Sequence, residues 1–151
     1  MKYTVEVDID RPLNEVVEKF DNQDNYSKWM KGLESYENIE GKQGQEGAKN
    51  RFIFKMGKRK MQMVETVLKH DLPQQYLVSY EVNGVYNEVD NRFEKIDDQK
   101  TLYTTKQYFK FKGMMKIMAF FIGKSFKKQS LKYANDFKKF VENDGLVTSD
   151  K

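Results

Sequence analysis

Apolar and polar positions alternate from Lys2 to Ile9, with Tyr3, Val5, Val7 and Ile9 facing one way and Thr4, Glu6 and Asp8 the other. That pattern predicts a half-buried strand. Asp10-Arg11-Pro12 ends it. Pro12 suits the first turn of a helix, with Asp10 as its expected cap, and Leu13, Val16, Val17 and Phe20 supply a short apolar stripe. A second short helix is expected from Asn25 to Met30, carrying Tyr26, Trp29 and Met30. From Leu33 onward the period is two. Strands are predicted over Leu33–Glu40, Lys49–Met56, Arg59–Lys69, Gln75–Val82, Val85–Ile96 and Thr101–Phe111. Turns are expected at Gly57-Lys58, at Asn83-Gly84, a strong hairpin signal, and at Asp97-Asp98-Gln99. The strand over Arg59–Lys69 places Met61, Met63, Glu65 and Val67 on one face, but Val64 and Leu68 on the other, so its inward face stays open.

The longest helical pattern runs from Gly113 to about Asn143. At 100° per residue, Met115, Met118, Ala119, Ile122, Phe126, Tyr133, Phe137, Phe140 and Val141 form a stripe, interrupted by Gln129 and Ser130. Met114, Ile117, Phe120 and Phe121 point away from it, so Met114–Ile122 is apolar all round and needs cover on two sides. Gly123, a weak helix former, is read as a place for a kink or break. The leader is read either as packed core or as a lid or lipid-touching patch. One antiparallel meander wrapped around one helix covers both apolar faces. The expected fold is therefore α+β: a curved antiparallel sheet of about seven strands around a long C-terminal helix, with two short helices after the first strand. The domain is expected to span 1–144, with 145–151 a flexible tail.

The 151 residues suffice for one domain with a real core. Apolar content is 38% and charged content 33%, as in a soluble protein, while 14% aromatics and eight Met suit an adaptable pocket as well as a core. There is no cysteine, which excludes disulfides, thiolate metal sites and cysteine nucleophiles. No apolar leader opens the chain and no run reaches the ~18 apolar residues of a span, so a cytoplasmic location is expected. The net charge of +4 is uneven: residues 1–48 hold eleven acids and six bases, whereas residues 112–141 hold eight lysines and Asp136 alone. The loop from Gly41 to Gly47 is not a phosphate loop, because a strand pattern follows it and no Lys-Ser/Thr pair ends it. His70 is the one histidine and has no second His or Cys for a metal site or triad, so it is read as a surface residue. Neither a metal nor a cofactor is expected.

The element order, together with VDIDRPLNEVVEKFDN and NYSKWM after the first strand, METVLKHDLPQQYLVSYEV in the middle, NRFEKIDDQKTLYTTKQYFKF and a final SFKKQSLKYANDFKKFVEN, resembles the SRPBCC superfamily. These are also called START-like or helix-grip proteins, and the likeness is to their polyketide cyclase/dehydrase-like branch. It covers nearly the whole chain. It implies a cavity between sheet and helix. It also implies binding of sterols, lipids, quinones or polyketides, usually without altering them and in a minority of members with catalysis. It carries no catalytic signature to transfer to positions here.

Three functions fit these patterns. The first is a carrier of a small hydrophobic ligand, lined by Trp29, Phe52, Phe54, Met61, Met63, Tyr80, Phe93, Phe109, Met118 and Ile122, with Asn87, Asn91 and Gln107 placed to fix a carbonyl or hydroxyl. The second is a cyclase or dehydratase using Glu65 as acid or base, with Tyr80 or Tyr103 polarising a carbonyl; it requires the Glu65 face to point inward rather than to solvent. The third is a module docking on a partner or membrane surface through the lysine-rich helix, with transient membrane contact through Met114–Ile122. No nucleic-acid signature accompanies the lysines, and a monomer or weak homodimer is expected.

Overall fold

The computed structural model describes residues 1–146, apart from the side chains at 121 and 122 within a helix. Positions 147–151 of the expected tail lie outside the described residues. The elements are β1 (Lys2–Ile9), α1 (Leu13–Phe20), a single 3-10 turn (Gln23–Asn25), α2 (Tyr26–Trp29), β2 (Leu33–Glu40), β3 (Lys49–Met56), β4 (Arg59–Asp71), β5 (Gln75–Val82), β6 (Val85–Asp97), β7 (Lys100–Phe111) and α3 (Met115–Glu142). The strands form one seven-stranded sheet in the order β1-β7-β6-β5-β4-β3-β2, antiparallel throughout. This is the helix-grip architecture that the alternation predicts. β1 closes on β7, so the short helices carry the chain from one edge of the sheet to the other.

Two-residue turns set the register. Met56 faces Arg59 across Gly57-Lys58, and Val82 faces Val85 across Asn83-Gly84. Asn83 and Gly84 have φ of 29° and 79°, the positive pair a tight hairpin needs. Between β4 and β5 the register shifts between Val67 and Lys69, so Leu68 is the extra residue of a bulge. Asp10 does not cap α1. Pro12 occupies the cap position without a side-chain bond, and the Pro12 carbonyl accepts from Glu15 and Val16. Asp10 lies too early in the chain to reach the first turn, and its own N–H donates to Glu142.

The core lies where α1, α2 and the second half of α3 meet the sheet. Ile9, Val16, Phe52, Val67, Val78, Phe137, Phe140 and Val141 are all at most 1% exposed there. The Phe137 ring centroid is 4.9 Å from Trp29, 5.5 Å from Phe20 and 5.7 Å from Tyr103. His70 ties β4 to the end of α1 through Asp21, at 2.9 Å, and meets the Tyr76 ring edge-on.

Candidate functional site

α3 rests chiefly on β1, with β7, α1 and α2 beside it. The palm formed by β3, β4 and β5 is left uncovered by the helix, and the gap is a cavity of about 520 Å³, a size that encloses a small organic ligand. Trp29, Phe52, Phe54, Met61, Met63, Tyr80, Asn87, Asn91, Gln107 and Phe109 stand in its wall. Phe20, Tyr26, Tyr76, Tyr103 and Phe126 join them. The cavity is closed at the end where Phe20, Phe93, Tyr103 and Phe137 interlock. Lys31, Met56 and Gln129 are wall residues that are themselves exposed, so they mark the mouth, between α3 and the β3–β4 hairpin.

Two expected wall residues lie elsewhere. Phe93 stacks on Tyr103 at 4.7 Å and meets Phe20 at 4.9 Å, so it fills the closed end instead of lining space. Met118 is 50% exposed. The first half of α3 turns Met115 toward Gly84, and its inward stripe is narrower than the sequence pattern. The side chain of Ile122 lies outside the described residues.

Glu65 points inward. It is 2% exposed, and its strand neighbours supply both partners. Asn50 stands opposite on β3 and donates to Oε1 at 2.9 Å; Tyr80 stands opposite on β5 and donates to Oε2 at 2.7 Å. Asn38 on β2 donates to Asn50 Oδ1 at 3.0 Å, so one hydrogen-bonded row crosses β2 to β5. Burial pushes the Glu65 carboxyl above its ordinary range, against the lowering effect of the bonds from Asn50 and Tyr80. Burial, and then the Glu65 charge, raise the phenols of Tyr36, Tyr76 and Tyr80, Tyr36 to about 12. Tyr80 is surrounded by protein yet keeps accessible surface, and that surface belongs to the cavity wall.

The amides expected to hold a ligand also hold one another. Asn87 Nδ2 donates to Gln107 Oε1 at 3.1 Å, and Gln107 Nε2 donates to Thr105 Oγ1 at 3.0 Å. Asn91 accepts from the Tyr103 hydroxyl at 2.7 Å and donates to the Tyr76 carbonyl at 3.3 Å. At the helix side, Tyr3 Oη lies 2.6 Å from Ser130 Oγ and donates to the Phe126 carbonyl at 3.0 Å. The polar Gln129 and Ser130 that interrupt the apolar stripe of α3 are therefore wall residues. The buried Trp29 indole N–H has no hydrogen-bond partner among the described residues. Nor, among those residues, does any group of three or more His, Cys, Asp or Glu converge as a metal site.

The strand and helix patterns did not single out Asn50 or Tyr3 as site residues. Asn50 was legible: the two-residue turn at Gly57-Lys58 puts it opposite Glu65. Tyr3 was not, because its site depends on β1 pairing with β7 and on a helix position more than a hundred residues away.

The family model described as "Polyketide cyclase / dehydrase and lipid transport" matches residues 1–129. A search of the curated proteins finds no match. Among solved structures, a conserved protein from Geobacillus kaustophilus is 18% identical, with a TM-score of 0.76 over 95% of this chain and 96% of that one. Zhui aromatase/cyclase from Streptomyces sp. R1128 is 12% identical, with a TM-score of 0.74 over 95% and 94%. Norcoclaurine synthase from Thalictrum flavum, a point mutant in complex with a transition-state analogue, is 12% identical, with a TM-score of 0.70 over 95% and 95%. At these identities the likeness is one of fold.

Proposed function

We infer, for a chain that belongs to the polyketide cyclase/dehydrase and lipid transport family, that it binds a small hydrophobic ligand of lipid, sterol, quinone or polyketide type between sheet and α3, without catalysis. The observation that carries this reading is the cavity of about 520 Å³, walled by Phe, Tyr and Met side chains with a few fixed polar groups. A solid core would have closed that space, since interiors pack to crystal density. The buried Trp29 N–H, without a hydrogen-bond partner among the described residues, supports it too. A buried donor left unpaired costs about 1–3 kcal/mol, and a ligand acceptor reaching it would remove that deficit.

A second reading, an enzyme of cyclase or dehydratase type, draws on Glu65, a carboxyl buried in the wall. Both of its oxygens already accept bonds, from Asn50 and Tyr80. That arrangement suits a fixed polar anchor better than a group that exchanges protons with a substrate. Glu65→Gln separates the two: binding spared and turnover lost would mark the enzyme.

Trp29 is the single tryptophan and stands in the wall, so its emission reports occupancy. Titration with long-chain fatty acids, sterols, quinones and flavonoids should change that emission saturably for one class. Thr105→Phe, which fills part of the cavity, should weaken that ligand about tenfold or more. A signal unchanged by Thr105→Phe would place binding outside the cavity and overturn this reading.

A further inference from the structure

The mouth of the cavity and the first half of α3 lie at one end of the sheet. By register, β3 rises to the turn at Gly57-Lys58, β5 to the turn at Asn83-Gly84 and β7 to Phe111, and neighbouring strands are antiparallel, so these points share an end. α3 starts there, just beyond Phe111. Leu33 faces Phe54, which brings the chain leaving α2 to the same end.

Large apolar side chains are exposed on it: Met56 by 60%, Met114 by 80%, Ile117 by 64% and Phe120 by 87%. They come from a hairpin tip and a helix start on opposite sides of the mouth. Exposed cations stand among them, Lys58 and Arg59 on the hairpin and Lys112 and Lys116 at the helix. Of the acids on the neighbouring strands, Glu81 stands opposite Val64, and Lys60 already holds Glu34 at 3.0 Å. Apolar residues that enter an acyl layer, beside lysines that meet anionic headgroups, are the chemistry of an interfacial contact. A nucleic acid would engage the cations and leave Met114 and Ile117 in water. A protein partner would use the apolar residues whatever the charge of nearby lipid.

We propose that this end of the molecule docks on an anionic lipid bilayer surface, with Met114, Ile117, Phe120 and Met56 entering the headgroup layer and the surrounding lysines and Arg59 paired with lipid phosphates. Docked this way, the cavity mouth faces the bilayer. That last consequence rests on the ligand-binding reading; the docking itself does not.

The test is co-sedimentation of the whole protein with vesicles of phosphatidylcholine alone and of phosphatidylcholine with one third phosphatidylglycerol. The protein is expected to sediment with the anionic vesicles and to be released by salt. Lys112→Gln and Lys116→Gln should each lower partitioning about fivefold. Met114→Glu combined with Ile117→Glu should lower it about tenfold or more. Phe120→Trp should add a blue-shifted emission on binding. These positions are exposed, so an unchanged urea midpoint verifies the fold, and Trp29 titration of the lysine and Met114→Glu/Ile117→Glu variants reads the cavity separately. No sedimentation with anionic vesicles would overturn the proposal. So would partitioning that falls with the lysines but not with Met114→Glu/Ile117→Glu, the mark of a plain cationic surface.

Discussion

In its last three turns α3 buries Phe137, Phe140 and Val141 to 1% exposure or less, whereas in its first turns Met114, Ile117 and Phe120 are 80%, 64% and 87% exposed. Composition does not separate the two stretches, since both are rich in large apolar side chains. What differs is the cover. The second half meets α1, α2 and the closed end of the sheet, and a polar clamp ties it down. Arg11 bonds the Glu142 carbonyl and lies 3.3 Å from Asp144, and Lys138 bonds the Asp8 carbonyl and, at 2.6 Å, the Glu142 carboxylate. The first half crosses the edge of the palm on Met115 and Ala119, with Phe126 stacked on Phe109 below. One half of the helix is thus core. The other half is exposed surface beside a cavity, and an exposed apolar patch is where function is to be sought.

Mutations can sharpen that contrast. Phe137→Ala removes a ring packed on Trp29, Phe20 and Tyr103 and should cost about 3–5 kcal/mol in urea unfolding. Two glutamates carry the contrast between cavity and clamp into pH. The Glu65 pKa is raised in the folded state above 4.5 by burial, so the unfolded chain gives up its proton first. The stability tied to the protonated form is complete below that value and is lost as pH rises through the folded pKa. Glu65→Gln keeps an amide where the Tyr80 hydroxyl can reverse its role. Its stability relative to the parent should grow as pH is raised from 4.5; a parallel pair of stability–pH curves would contradict the burial of the charge.

Glu142 runs the other way. Partial burial pushes its carboxyl up, but the Asp10 N–H, Lys138 and Arg11 outweigh that and hold it low. Its contribution is present above 4.5 and is lost as pH falls through the folded pKa. Glu142→Gln should therefore cost about 0.5–1 kcal/mol at neutral pH, screened by the solvent that reaches this end, and nothing at low pH. Smallest of all, Ile117→Ala should shift the urea midpoint by less than about 0.5 kcal/mol in free energy. A loss near that of Phe137→Ala would show that the first half is covered after all.

The fold was legible because its signals are local. Alternation within each strand and the two-residue turns at Gly57-Lys58 and Asn83-Gly84 set the meander, and inward residues of β3, β5 and β7 followed. The inward face of β4 was not legible, because Val64 and Leu68 give its other face an apolar look, and the bulge at Leu68 hides the pairing of Glu65 with Tyr80. Phe93 shares a face with Asn91, yet one is plug and the other wall. That boundary is set by where α1 and α3 land, which no strand period records. Met118 fell outside for a related reason, since a periodic stripe does not tell how far a helix overhangs its sheet.

The central claim, that the space between sheet and α3 is a ligand site, is tested most directly by native mass spectrometry of gently purified protein, followed by extraction of whatever is released. A mass above that of the 18.0 kDa chain, matched by an apolar small molecule in the extract and lost in Thr105→Phe, is the predicted result. A bare-chain mass that stays unshifted after incubation with lipids, sterols, quinones and flavonoids would contradict the account.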